Sequence, residues 1–237
     1  MSYTEPPDEP AEEAGAPEPP LVGAGEAEVG AALAGGGVIA VPAVGGYCLA
    51  VHVGSAGEER LAALAADPEG PHYVVGHVDA VRQLTSGWND EVNQLLQRCW
   101  PGPVEVFLPR ARDAGPADTQ PVQPYDQVAD DSGGWAVTVG MPEGRALRKL
   151  CREHGPWRTV PLNFTDAVQV AHAFTASDVA LVVDGGTREG EPATLVDATV
   201  SPMRVLREGA LPAEFIEGTM AMGNRKKWFS RSRRDEG

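Results

Sequence analysis

Apolar residues along this chain fall into short runs with two rhythms. VIAVP at 38–42 and YCLAVHV at 47–53 are almost continuously apolar and bounded by glycine, as strands buried on both faces are. HYVVG at 72–76, PVEVFLP at 103–109, WAVTVGMP at 135–142 and RTVPLN at 158–163 continue the series. VALVVDGG at 179–186, ATLVDAT at 193–199 and MRVLREG at 203–209 complete it. Between these runs the apolar positions recur three and four apart. A helix is expected from about Glu26 to Ala34, closed by Gly35, Gly36 and Gly37, and others over 58–66 and 79–84. DEVNQLLQRC at 90–99 places Val92, Leu95, Leu96 and Cys99 on one side of a helix. EGRALRKLCREHG ends at Gly155, and TDAVQVAHAF offers Thr165 as an N-cap. Strands and helices mix without strict alternation. The expected fold is α/β, a single twisted, open, mixed sheet flanked by helices.

The pattern fades at the ends and once in the middle. Residues 1–25 are mostly Pro, Glu, Ala and Gly. Such a segment buries too little apolar surface to offset its ordering entropy, so an acidic, disordered tail is expected. The domain then spans 26–218, interrupted by a long Pro/Gly/Asp-rich loop at 111–134, and a basic tail occupies 219–237.

Charge sharpens this division. The chain has 237 residues and a formal net charge of −15. Residues 1–28 hold eight acids and no Lys or Arg, whereas 225–237 hold six bases and two acids, so the residues between are acidic in their own right. An acidic domain repels phosphate backbones at long range, which excludes indiscriminate nucleic-acid binding by the domain itself. The tail RKKWFSRSRR, with Trp228 and Phe229 among its bases, is the candidate contact for RNA, an anionic membrane surface or the acidic N-terminal segment. Cys48, Cys99 and Cys151 are odd in number and widely spaced, which points to reduced thiols in a cytoplasmic protein and to no zinc site. No apolar run approaches the roughly 18–20 residues of a membrane span, and the acidic, Pro-rich N-terminus is unlike a signal peptide.

Other constellations carry little. Gly45-Gly46 would admit a phosphate against backbone N–H groups, but no Lys follows as in a P-loop, and a tight hairpin turn is the simpler reading. Asp184-Gly185-Gly186 is either a pocket wall or a plain turn. Five histidines show no metal-binding helical spacing, His154 reading as a surface group stabilised at a helix C-terminus, and no metal is expected.

The ordered joints "AALAGGGVIAVP", "GYCL", "CWPGPVEVFLP", "VTVGMP", "VPLNFTD", "VVDGG", "ATLVDAT" and "VLREGA" resemble the YrdC-like family, the threonylcarbamoyl-AMP synthases of tRNA modification, from about residue 28 to 212. The resemblance implies a twisted open sheet around a concave active site. It also implies a reaction joining threonine, bicarbonate and ATP with release of pyrophosphate. Tyr47, Asn163, Thr194 and Arg207 match family positions and are the candidate nucleotide and substrate-pocket residues. The departures are pronounced. The family motif Pro-Thr-Asp-Thr-x-Tyr-Gly-Leu becomes Pro42-Ala43-Val44-Gly45-Gly46-Tyr47-Cys48-Leu49. Ala65 and Asp67 replace a Lys and an Arg, Glu105 a Thr, Gly140 an Arg and Ala193 a Ser, and Pro161-Leu162-Asn163 keeps only the Asn of Ser-Ala-Asn.

Phosphoryl chemistry is catalysed mainly by positioning and charge stabilisation. Losing three cations and gaining an acid works against it. The expectation is a catalytically degenerate member with no catalytic residues assigned, keeping residual nucleotide (ATP) or double-stranded RNA or tRNA binding. The alternatives are an ATP-dependent carbamoyl-adenylate-forming enzyme with an altered substrate, and a scaffold acting through its charged tails.

Overall fold

A computed structural model describes residues 16–23, 27–65, 71–86, 88–111 and 136–221. The first acidic stretch, the 111–134 loop apart from its first residue, and the basic tail at 225–237 lie outside the described residues.

In chain order the elements are β1 (Leu21–Val22), α1 (Ala27–Ala34), β2 (Ile39–Ala43), β3 (Gly46–His52), α2 (Gly57–Leu64) and β4 (His72–Val74). α3 (Val78–Leu84), α4 (Asp90–Cys99), β5 (Gly102–Pro109), β6 (Ala136–Met141), α5 (Arg145–His154) and β7 (Trp157–Leu162) follow. The chain closes with α6 (Ala167–Ala173), β8 (Leu181–Val183), β9 (Thr194–Asp197), β10 (Arg204–Arg207) and a helix α7 over 213–221. The ten strands form one mixed sheet in the order β1-β8-β2-β3-β7-β4-β6-β5-β9-β10. The β1/β8, β2/β8, β4/β6 and β5/β9 pairs are parallel and the rest antiparallel.

The apolar runs are continuous because the middle of the sheet is covered on both faces. Ile39, Val41, Cys48 and Ala50 pack with Val29, Leu33, Leu147 and Leu150 of α1 and α5. The alternate residues Val38, Ala40, Tyr47, Leu49 and Val51 pack with Leu61 of α2 and with Ala167, Val170 and Ala171 of α6. A third cluster joins α3, α4 and α7 to β5 and β6, with Leu96, Val106 and Ile216 fully buried. Each such side chain stabilises the fold by roughly 1.5–3 kcal/mol. Cys48, Cys99 and Cys151 are free and buried.

Three local expectations change. Residues 16–23, grouped by composition with the disordered tail, lie along the sheet edge. Leu21 and Val22 pair with Val182 and Val183, Pro20 O accepts from Val182 N at 2.9 Å, and Val22 O accepts from Asp184 N at 2.8 Å. An edge strand supplied with free N–H and C=O groups recruits a partner even from a Pro-rich segment, because its carbonyls are as good as any other residue's. The α6 cap is Asp166, not Thr165: Asp166 Oδ1 accepts from Gln169 N at 3.0 Å, while Thr165 N donates to Gln169 Oε1 at 3.3 Å. At the other end α7 runs past residue 218 with Ile216 and Thr219 buried, so the folded part extends through 221.

Candidate functional site

The β2–β3 hairpin, the start of β5, the end of β6, the start of α5 and the loop 187–191 enclose a cavity of about 310 Å³. Its inner surface is apolar, made by Val41, Cys48, Val74, Met141, Leu147 and Trp157. Among the described residues its charged lining is four carboxylates, Glu105, Glu143, Glu189 and Glu191, against one guanidinium, Arg188.

Cross-strand register explains the space. Glu105 of β5 stands directly beside Gly140 of β6. A Cβ at Gly140 would lie 3.3 Å from Glu105 Cγ, so the carboxylate side chain leans over the position where the strand has none. Two side chains approach it. Arg207 Nη2 donates to Glu105 Oε2 at 3.4 Å, and His72 Nδ1 lies 4.0 Å from the same oxygen.

The hairpin turn is equally specific. Gly45 has φ +74°, a left-handed conformation that L side chains rarely adopt. The carbonyl oxygens of Gly190 and Glu191 lie 3.0 Å from where its Cβ would be. The turn is thus packed against the negative ends of two peptide dipoles. On the opposite rim, Arg148 Nη1 donates to the carbonyl oxygens of Pro142, at 2.9 Å, and Glu143, pinning the chain just before α5.

The four candidate residues from the sequence are not among the residues that line this cavity. Tyr47 is buried, donates through its hydroxyl to Gly186 O at 2.8 Å and accepts from Gly185 N at 3.0 Å. It latches the 184–186 turn, which Asp184 Oδ1 closes by accepting from Gly186 N at 2.8 Å. Burial pushes the Tyr47 phenol above its ordinary pKa, against the opposing effect of the Gly185 hydrogen bond. Thr194 is fully buried; its hydroxyl donates to Leu211 O at 2.5 Å and accepts from Gly209 N and Leu211 N at 3.1 Å. Arg207 is joined to the site through Glu105. Asn163 is exposed after β7.

Most of the positions that depart from the resembled motifs border the cavity, though Pro161 and Leu162 do not. Ala43, Val44, Gly45, Cys48, Glu105, Gly140 and Ala193 all line it. Ala65 packs near α2 and α6 instead, and Asp67 lies outside the described residues. Burial, reinforced by Glu105, pushes the Cys48 thiol up to about 12, which disfavours the nucleophilic thiolate. Trp157, Arg188 and the acids Glu143, Glu189 and Glu191 escaped the sequence reading. The run TREGE after the DGG turn was the available signal for the loop. Among the described residues no three His, Cys, Asp or Glu side chains gather as metal ligands. No helix there is long and apolar enough to cross a membrane.

Comparison with known proteins follows the same lines. A family model for Sua5, YciO and YrdC, described as telomere recombination, matches residues 31–209. A threonylcarbamoyl-AMP synthase of Pyrococcus abyssi is 31% identical over 136 residues, which is 54% of this chain and 36% of that protein. The structure of P. abyssi Sua5 complexed with L-threonine superposes with a TM-score of 0.67 at 25% identity, covering 81% of this chain and 56% of that one. Escherichia coli YciO superposes with a TM-score of 0.65 at 18% identity, covering 77% and 88%. The matches thus reach little over a third of the curated relative and just over half of Sua5.

Proposed function

The chain belongs to the Sua5/YciO/YrdC family, and from that premise we propose that it is a catalytically degenerate relative of the threonylcarbamoyl-AMP synthases, a ligand-binding module that no longer forms an adenylate. One observation carries this reading: the departing positions Ala43, Gly45, Glu105, Gly140 and Ala193 line the cavity beside matching ones such as Pro42, Gly102 and Pro103, and the lining places Glu105 where the resembled motif has a hydroxyl.

The physical consequence is electrostatic. A triphosphate needs fixed positive charge where its own charge is concentrated. Here the arginine that matches the family pattern is engaged by Glu105, and Glu105 occupies the space beside Gly140 where the family places a second arginine. Each charge-assisted contact removed weakens binding by roughly 1.5–3 kcal/mol. A transition state that gathers several loses many orders of magnitude in rate. The added carboxylates repel the nucleotide as well.

Titration calorimetry with ATP, run beside the P. abyssi synthase as a positive control, tests the reading. The expected result is affinity for ATP weaker than about 1 mM. Micromolar binding would remove the support that the lining charges give.

A further inference from the structure

The cavity has lost its fitness for a triphosphate, yet it has not closed. Close packing favours filling apolar space that nothing occupies. This cavity keeps about 310 Å³, at the small end of the range of ligand pockets. Its chemistry specifies an occupant.

We propose that the cavity binds a small organic amine: a cation with a compact apolar body and one neutral hydrogen-bond acceptor. This rests on the reading above that the site no longer takes a triphosphate.

Three features select that class. The rim gives the charge. Glu143, Glu189 and Glu191 are exposed carboxylates from two segments that face the same space as Glu105. The carbonyl oxygens of Gly190 and Glu191, turned toward Gly45, add negative potential of their own. The inner wall gives the apolar body, through Val41, Val74, Met141 and Leu147. Trp157 calls for the acceptor, because its indole N–H can only donate. It lines the cavity, has no exposed surface, and its indole Nε1 has no acceptor among the described residues. A buried N–H left in that state is destabilising until an acceptor arrives.

Two groups oppose a cation. Arg188 is one, and the N-terminus of α5, whose Gly144 and Leu147 line the cavity, is worth about half a positive charge. They would favour a ligand carboxylate. A zwitterion, however, brings its own anion among the rim carboxylates Glu143, Glu189 and Glu191, so the amine with a neutral acceptor is the better match.

Calorimetry on the full chain with three ligands of one shape separates the cases: L-leucinamide, which is cationic with an amide acceptor; L-leucine, a zwitterion; and 4-methylpentanamide, which is neutral. L-Leucinamide is expected to bind at least about tenfold more tightly than either of the others. Raising salt from about 150 to 500 mM is expected to weaken it, because the rim carboxylates are solvated. The double variant Glu189→Gln/Glu191→Gln, on exposed side chains, is expected to lower that affinity severalfold with an unchanged melting temperature. Equal binding of the three ligands, tighter binding of L-leucine, or no saturable binding of any would overturn the amine proposal. Those outcomes leave the loss of adenylation standing. Conversely, micromolar ATP binding or pyrophosphate release from ATP strikes at the degenerate reading and not at these ligand comparisons.

Discussion

Glu105 is the residue on which the account turns. It lines the cavity, leans over Gly140 and holds Arg207 at 3.4 Å. Substituting Gly140→Arg alone forces a side chain against Glu105 Cγ, and about 1–3 kcal/mol of destabilisation is expected by thermal or urea unfolding. Adding Glu105→Ala removes the obstacle, every atom beyond Cβ, and frees Arg207 from that carboxylate. The double variant is expected to recover that stability and to bind ATP more tightly than the parent. A double variant as unstable as the single one would show that Glu105 does not shape this space. Tyr47→Phe removes both bonds to the 185–186 backbone and is expected to cost about 1–3 kcal/mol, with faster proteolysis in the 184–191 segment. A Tyr47→Phe protein of unchanged stability would refute the latch. The buried thiols give a pH test. Burial raises Cys48 from 9.0 to about 12 and raises Cys151 as well. Stability drawn from the neutral thiols is full below about pH 9 and falls as pH rises toward 12. Urea unfolding at rising pH should show that loss, and Cys48→Ala should flatten it; a wild-type curve without the loss would contradict the burial. At this scale the sequence was informative about identity and poor about position. It marked Glu105, Gly140 and Ala193 as departures, but which side chains meet across β5 and β6 depends on register, and register is a long-range property.

Helices and strands were far more legible. Val92, Leu95, Leu96 and Cys99 fall on one buried side of α4, and that helix spans the residues its periodicity predicts. Its cap is Asn89, whose Oδ1 accepts from Glu91 N and Val92 N at 2.9 Å. Asn89→Ala is expected to lower stability by about 1 kcal/mol, against about 2–5 kcal/mol for Leu96→Ala beneath it, both read from chemical denaturation. Equal effects would mean that α4 is held by its end and not by its buried face. What escaped the pattern was β1, two residues recruited by the free edge of β8, and α7, whose sparse apolar residues Phe215 and Ile216 give no clear period. Short elements held by a neighbour leave little trace in their own sequence, since the neighbour supplies the hydrogen bonds.

For the whole molecule, the ten-stranded mixed sheet follows from apolar runs covered on both faces, and the family model spans most of it. The fold sets the hairpin, the β5–β6 pair and the 187–191 loop around one cavity. Function then depends on which charges that cavity carries, and here they are mostly negative. The most direct test of that claim is pyrophosphate release from ATP in the presence of threonine and bicarbonate, with the P. abyssi synthase run in parallel. The account predicts release by the control and none above background from this protein. Sustained, threonine-dependent release would contradict it, and would mean that other groups supply the positive charge that Ala65, Gly140 and the Glu105-bound Arg207 do not.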